Sequence, residues 1–262
     1  MIRVPCLLVS ALVAVFSAAS LSAAPVIHMI GDSTMADKPR LELPERGWGQ
    51  LFRTIVREPA KVVNHAANGR STRSFIHEGR WRKVVGSLKT GDWVVIQFGH
   101  NDEKVDKPGV GAEARGLYQD NLRKFVRESV SHGAHPVLAT SVARRRWNEQ
   151  GELVPTHGEY PEVVRMVARE EDVPLVDMER LTNELERSMG VEGSKKLHLW
   201  FAPGEHPKLP KGLEDDTHYS EFGALRVAKL FAAECQRLHI GIADWVDGAS
   251  LGEKQEIRPL TR

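Results

Sequence analysis

Cysteine is almost missing from this chain, with only Cys6 and Cys235 in 262 residues. Cys6 lies in the opening segment, so its removal would leave Cys235 alone and exclude an internal disulfide. An excess of charge of either sign is also missing. Lys and Arg number 36 against 35 Asp and Glu, and loss of Arg3 would leave 35 of each. A near-neutral chain has no general electrostatic attraction for nucleic acid, so partners are sought at a local site. Long apolar runs are missing after the start. The run at residues 4–16 is shorter than the ~20 residues that a membrane span needs. It follows Arg3 and precedes "SAASLSAA", the three-part pattern of a secretory signal peptide. Residues 1–24 are therefore expected to be cleaved, giving a secreted or periplasmic protein without a membrane span. Repeats, low-complexity blocks and linkers rich in Pro, Gly or Ser are missing too. With 41% hydrophobic residues, the chain can close one sizeable core. One domain is expected over residues 25–245, followed by a polar tail over residues 246–262.

Short apolar runs recur at residues 26–30, 61–65, 93–98, 136–140 and 174–177. Each is four to six residues long and rich in β-branched types, as strands buried on both faces are. Helical periodicity lies between them. Trp48, Leu51, Phe52, Ile55 and Val56 make one apolar stripe over residues 47–57, and Ala224, Val227, Ala228, Phe231, Cys235 and Leu238 make another after Ser220, a candidate N-cap. The alternation predicts an α/β fold with a parallel sheet of five strands and helices on both faces. Ligands of such sheets sit beyond the carboxyl ends of the strands. The turns there are "GDST" (31–34), "AANGRS" (66–71) and "GHND" (99–102). A fourth polar group, "DDTH" (215–218), follows a stretch over 190–214 that reads as a long loop without regular structure.

Singly, each of these groups is an ordinary turn. Gly31-Asp32-Ser33 is a common turn sequence, Asn101 suits an Asx-turn, and Asp215 could cap the last helix. Together they meet the needs of acyl transfer, which takes a hydroxyl, a base, a group that orients the base, and donors for the oxyanion. Ser33 offers the hydroxyl, His218 the base and Asp215 the orienting carboxylate, three residues away. The Ser33 and Gly69 N–H groups and the Asn101 side-chain amide would face the oxyanion.

In order and spacing, "GDST", "NHAANGRS", "QFGHND" and "DDTHYS" resemble the four blocks of the SGNH (GDSL-type) hydrolases. Ser33, Gly69, Asn101 and His218 fall on the four residues that name the family, and Asp215 on its Asp-x-x-His block. Thr34 stands where the eponymous motif has Leu, as in carbohydrate-esterase branches. "GWGQ", "GRSTRSF", "RRRWNEQGELVPTHGEYP" and "DDTHYSEFGA" look like the rhamnogalacturonan acetylesterase branch. The resemblance implies a flavodoxin-like three-layer α/β/α sandwich. It also implies removal of O-acetyl groups from plant cell-wall polysaccharide, with no metal or other cofactor.

Around that centre, His100 beside Asn101 could line the pocket or bond to backbone. Arg144, Arg145 and Arg146 follow the fourth strand at the same edge, and one could meet an acidic sugar such as galacturonate. Trp147 and Trp200 sit in loops and are candidate sugar platforms. Two readings from other classes compete. A metal-dependent phosphoesterase would draw on the same His, Asn and Asp, but it carries Gly-Asn-His-Asp where this chain has Gly-His-Asn-Asp. A non-catalytic carbohydrate-binding protein would have no need of the Asp215–His218 pair. Within the esterases, xylan acetylesterase, lipase and thioesterase remain open.

Overall fold

A computed structural model describes residues 24–251. The predicted signal peptide lies outside the described residues except for Ala24. In chain order the elements are β1 (Val26–Gly31), β2 (Glu45–Arg46), α1 (Trp48–Phe52), β3 (Lys61–Asn64), α2 (Thr72–His77), α3 (Arg80–Val85) and β4 (Trp93–Gln97). They continue with α4 (Gln119–Ser131), β5 (His135–Ala139), α5 (Tyr160–Glu170), β6 (Leu175–Val176), α6 (Met178–Gly193), β7 (His198–Phe201), β8 (Leu213–Ser220) and α7 (Glu221–Arg237).

The main sheet has five parallel strands in the order β3-β1-β4-β5-β6. Alternate residues feed opposite faces, as the period of a strand requires. Ile27, Met29, Val95, Val137 and Ala139 pack with Trp48, Phe52, Leu181 and Phe231 of α1, α6 and α7. Ile30, Val94, Ile96 and Leu138 pack with Phe75, Trp81, Phe125 and Val163 of α2 to α5. Both faces of the inner strands are therefore dry, the edge strand β3 keeps Val63 exposed, and the three layers are those expected. The chain leaves β1 for β3 on one side and then crosses to β4 on the other. That reversal makes the crevice between β1 and β4 the natural ligand site.

Three readings of the sequence are corrected. The helix expected over 47–57 is one short α-turn followed by a 3-10 turn over Arg53–Ile55, where the β-branched run Thr54-Ile55-Val56 resists α-geometry. The loop expected over 190–214 holds the end of α6, a 3-10 turn, the strand β7 and the start of β8, and only residues 202–212 lack helix or strand. With β2 and β8, β7 forms a second sheet, antiparallel and ordered β2-β8-β7. Its strand β8 reads "LEDDTHYS", which has no apolar alternation to betray a strand. Finally, Val246 is buried and bridges Val56, and a 3-10 turn follows at Gly248–Leu251. The packed unit thus runs past residue 245, and the rest of the expected tail lies outside the described residues.

Candidate active site

Ser33 rides on a turn tied down from several sides. Asp32 Oδ1 accepts from the Thr34 N–H at 3.0 Å and from its hydroxyl at 2.8 Å. Thr34 Oγ1 accepts from Gln97 Nε2 at 2.9 Å, and Gln97 Oε1 accepts from the Trp48 indole N–H at 2.7 Å. This buried relay joins α1, β4 and the turn, and it gives the Thr34 hydroxyl a structural task that leucine could not perform. Gly47 lets α1 approach closely, because a Cβ there would lie 2.1 Å from the Ala36 carbonyl oxygen.

The partner histidine comes from the small sheet. Along β7 and β8, His198 pairs with Tyr219 but the next residue, Leu199, pairs with Asp215. Asp216, Thr217 and His218 therefore bulge out of the ladder. Asp215 Oδ1 organises the excursion by accepting from the N–H groups of Thr217 at 2.8 Å and His218 at 3.0 Å. Asp216 anchors its start: its carbonyl accepts from the Arg145 N–H at 2.9 Å, and its Oδ1 accepts from Arg145 Nη1 at 2.9 Å and Trp200 Nε1 at 2.8 Å.

The result is a continuous chain across the crevice. His218 Nδ1–H donates to Asp215 Oδ2 at 2.8 Å, and the Ser33 hydroxyl donates to His218 Nε2 at 2.9 Å. Because a carboxylate can only accept, Asp215 fixes the tautomer that leaves Nε2 free to take a proton. Burial works to raise the Asp215 carboxyl. The hydrogen bonds from His218 and from the Thr217 N–H outweigh it and hold the group well below the usual carboxylate range.

Ser33, His218, Gly69, Asn101 and His100 line one cleft of about 540 Å³ with Glu45, Asn68, Lys104, Arg144 and Thr217. Gly69 has φ +74°, a left-handed conformation open to glycine at little cost. The N–H groups of Ser33 and Gly69 have no acceptor among the described residues. Asn101 is clamped at both ends of its amide. Its Oδ1 accepts from Lys104 Nζ at 2.8 Å and its Nδ2 donates to the Arg70 carbonyl at 3.1 Å, which leaves one N–H over. Three donors therefore border the cleft beside the Ser33 hydroxyl.

Behind this surface lies a buried polar cluster. Asp32 Oδ2 and His100 Nδ1 are 3.4 Å apart, and neither has a full hydrogen-bond partner. Burial works to raise the Asp32 carboxyl, but His100 and the Thr34 donors hold it at about 2. Burial pushes the His100 imidazole down to about 4, with Asp32 opposing. His100 also packs edge-on against His157, whose Nδ1–H donates to Glu103 Oε2 at 3.0 Å. Among the described residues, no group of three or more His, Cys, Asp and Glu side chains is placed to hold a metal ion.

His100 and Arg144 thus reach the cleft, whereas Trp147 and Trp200 do not line it. The indole of Trp147 donates to Ser194 Oγ at 3.3 Å. That of Trp200 is taken by Asp216, and its ring lies under Lys195 and Arg145, with cation-to-centroid distances of 4.6 and 4.9 Å. Arg144 pairs with Glu103, and Arg145 with Asp216. The exposed Arg146 guanidinium has no partner among the described residues, and it lines a second cleft of about 530 Å³ that shares Arg144 and Thr217 with the first. Sequence reasoning missed Lys38, Lys104 and Asp32. Lysines 38 and 104 carry no spacing signal, and the importance of Asp32 follows only from its burial.

The profile of the GDSL-like lipase/acylhydrolase family matches residues 29–225. The chain is 43% identical over 218 residues to the rhamnogalacturonan acetylesterase RhgT of Bacillus subtilis, covering 83% of this chain and 92% of that protein. It is 26% identical over 227 residues to a rhamnogalacturonan acetylesterase of Emericella nidulans, covering 79% and 83% respectively. Among solved structures, YxiM of Bacillus subtilis superposes with a TM-score of 0.70 at 24% identity, covering 83% of this chain and 57% of that one. The acetylxylan esterase Axe2 of Geobacillus stearothermophilus superposes with a TM-score of 0.57 at 22% identity, covering 86% and 97%. At these identities the two structures speak to the fold.

Proposed function

The chain belongs to the GDSL-like lipase/acylhydrolase family, and from that premise we propose that it removes acetyl groups from an acidic plant cell-wall polysaccharide of the rhamnogalacturonan type. The observation that carries the chemistry is the unbroken Asp215–His218–Ser33 chain, at 2.8 and 2.9 Å, beside a cleft with three uncommitted N–H donors. Ser33 Oγ attacks the acetyl carbonyl carbon while its proton passes to His218 Nε2. The carbonyl oxygen becomes an oxyanion and takes hydrogen bonds from the Ser33 and Gly69 N–H groups and from Asn101 Nδ2. As the C–O bond to the sugar breaks, His218 returns the proton to the departing sugar oxygen and leaves an acetyl ester on Ser33. Water, deprotonated by the same imidazole, attacks that ester; as the bond to Ser33 Oγ breaks, His218 returns the proton to Oγ and acetate leaves. Asp215 stays ionised throughout and holds the Nδ1–H side of the ring.

The acidic character of the polymer rests on Arg146, which is exposed, unpartnered among the described residues, and set in a cleft contiguous with the first. A carboxylate meets a free guanidinium in a favourable two-point geometry. The names of the RhgT and Emericella relatives point the same way. Export fits such a substrate. No described helix is long and apolar enough to cross a membrane, and Edman sequencing of the exported protein would test the cleavage near residues 23–25.

Acetate release from acetylated rhamnogalacturonan, acetylated homogalacturonan, acetylated xylan and short acyl esters, each with and without EDTA, tests the whole reading. The acidic polymers should be the best substrates, and chelator should leave the rate unchanged. Chelator-sensitive activity restored by a divalent ion would favour the phosphoesterase reading. Binding without acetate release would favour the non-catalytic one.

A further inference from the structure

Lys38 is 5% exposed and lies five residues beyond Ser33. An ammonium has three N–H donors and no acceptor, so a buried lysine needs three acceptors or it destabilises the fold. Lys38 has three. Its Nζ donates to the Ser33 carbonyl at 2.7 Å and to Asn68 Oδ1 at 2.6 Å, and forms an ion pair with Glu45 Oε1 at 2.7 Å. Its backbone is pinned as well, the N–H donating to Gln50 Oε1 at 3.1 Å and the carbonyl accepting from Gln50 Nε2 at 3.3 Å.

The three acceptors belong to three different parts of the site. Ser33 is the nucleophile. Asn68 precedes Gly69, whose N–H faces the oxyanion. Glu45 lies on β2, which pairs with β8 at Glu45–Ser220 and Arg46–Tyr219, next to His218. We propose that Lys38 is a positioning residue that sets the nucleophile turn, the oxyanion loop and the histidine-bearing sheet against one another. It touches neither substrate nor the reacting atoms, and its effect passes through Ser33, Asn68 and Glu45. A cation serves here where a neutral amide would not, because one of the three acceptors is a carboxylate and the other two are oxygens drawn from separate loops. Desolvation keeps the contact strong, and nothing else among the described residues joins the Asn68 side chain to the Ser33 turn.

This inference rests on the reading of Ser33 as nucleophile, and Ser33→Ala assayed in parallel keeps the two apart. The direct test is Lys38→Met, which keeps the length of the side chain and removes its donors. Small displacements of a site can cost up to about 10²-fold, so kcat should fall about 10- to 100-fold with KM nearly constant. Phosphonylation of Ser33 by an organophosphonate, which also needs the oxyanion donors, should slow by a similar factor. Asn68→Ala and Glu45→Gln each remove one contact from outside the core and serve if Lys38→Met folds poorly. Each should lower kcat less than Lys38→Met, and their effects should shrink when added to Lys38→Met, since neighbours acting through one group are non-additive. A lowered melting temperature with unchanged kcat and phosphonylation rate would overturn the proposal. Equal losses from Asn68→Ala with and without Lys38 would overturn it too. Full activity in Ser33→Ala would bring down the underlying reading, and this proposal with it.

Discussion

The two sheets supply the site in different ways. The parallel sheet delivers Ser33 and Asn101 from turns after β1 and β4, which are buried on both faces, and Gly69 from the turn after the edge strand β3, where Val63 is exposed. The antiparallel sheet delivers Asp215 and His218 from a bulge, and their side chains remain 26% and 30% exposed. The N–H groups proposed to face the oxyanion thus follow strands of the packed parallel sheet, where they need not reorganise as charge develops. Asp215 and His218 sit on the more open part, held by a short local Asx-type turn and by Asp216, Arg145 and Trp200. The difference teaches that rigidity and access are separate requirements, met here by separate sheets.

The comparison is broken most directly at the point where the sheets meet. Ser33→Ala should lower acetate release by about 10⁴-fold or more, while circular dichroism and the melting temperature stay close to wild type because Ser33 is only half-buried at a strand end. A wild-type rate would remove it from the reaction. On the open side, Asp215→Asn should cost about 10³-fold in kcat, by freeing the ring to take the wrong tautomer. The local turn can persist in this variant, because an Asn carbonyl can still accept the two N–H groups that Oδ1 accepts now. An unchanged rate would show that the pairing does no work.

On the stiff side, Asn101→Ala should lower kcat by about 10²- to 10³-fold with little change in KM. Asn101→Asp should be worse, since a carboxylate repels the oxyanion. If the side chain only shapes its turn, both variants will melt earlier and turn over normally. The smallest effect concerns stability and belongs to the buried sheet edge. Burial raises the Asp102 carboxyl to about 8, against the hydrogen bonds from Thr72 and with the charge of Asp32 adding to the rise. Between the ordinary carboxylate range and about 8, the folded chain holds a proton that the unfolded chain has released. The contribution of Asp102 is therefore full at low pH and is lost as pH rises through that window. Asp102→Asn, which mimics the protonated group, should melt higher relative to wild type at pH 8 than at pH 4, by on the order of a few degrees. His100 acts in the opposite direction. With its pKa pushed down to about 4, it makes the fold gain stability as pH rises from about 4 to about 6.5. A pH-independent difference for Asp102→Asn would show that Asp102 is ionised in the fold.

Local chemistry made much of this legible in advance. Each β-branched run became a strand of the parallel sheet, whose inner strands, dry on both faces, need an unbroken apolar sequence. The turns that follow three of those strands had to gather at one edge, because parallel strands share a direction. Ser220 caps α7, its hydroxyl accepting from the Gly223 N–H at 3.1 Å, as a serine before an apolar stripe should. The Asp215–His218 spacing was readable for the same reason, since a short turn closes that contact without help from elsewhere in the chain.

The rest depended on residues far apart. The polar strand β8 exists only because β2 and β7 flank it, and the three-residue bulge that turns His218 toward Ser33 is a register shift in its pairing with β7, which no single strand encodes. The expectation for Trp200 came from its place in an expected loop, yet it lies on β7 and its indole donates to Asp216, sixteen residues along the chain. Lys38 looks like any solvent lysine until the fold closes three acceptors around it. Sequence by itself determined the elements and the chemical groups, because those follow from periodicity and side-chain type over a few residues. Tertiary structure alone decided which polar groups lost water and what replaced it, because desolvation depends on the atoms that surround a group in space.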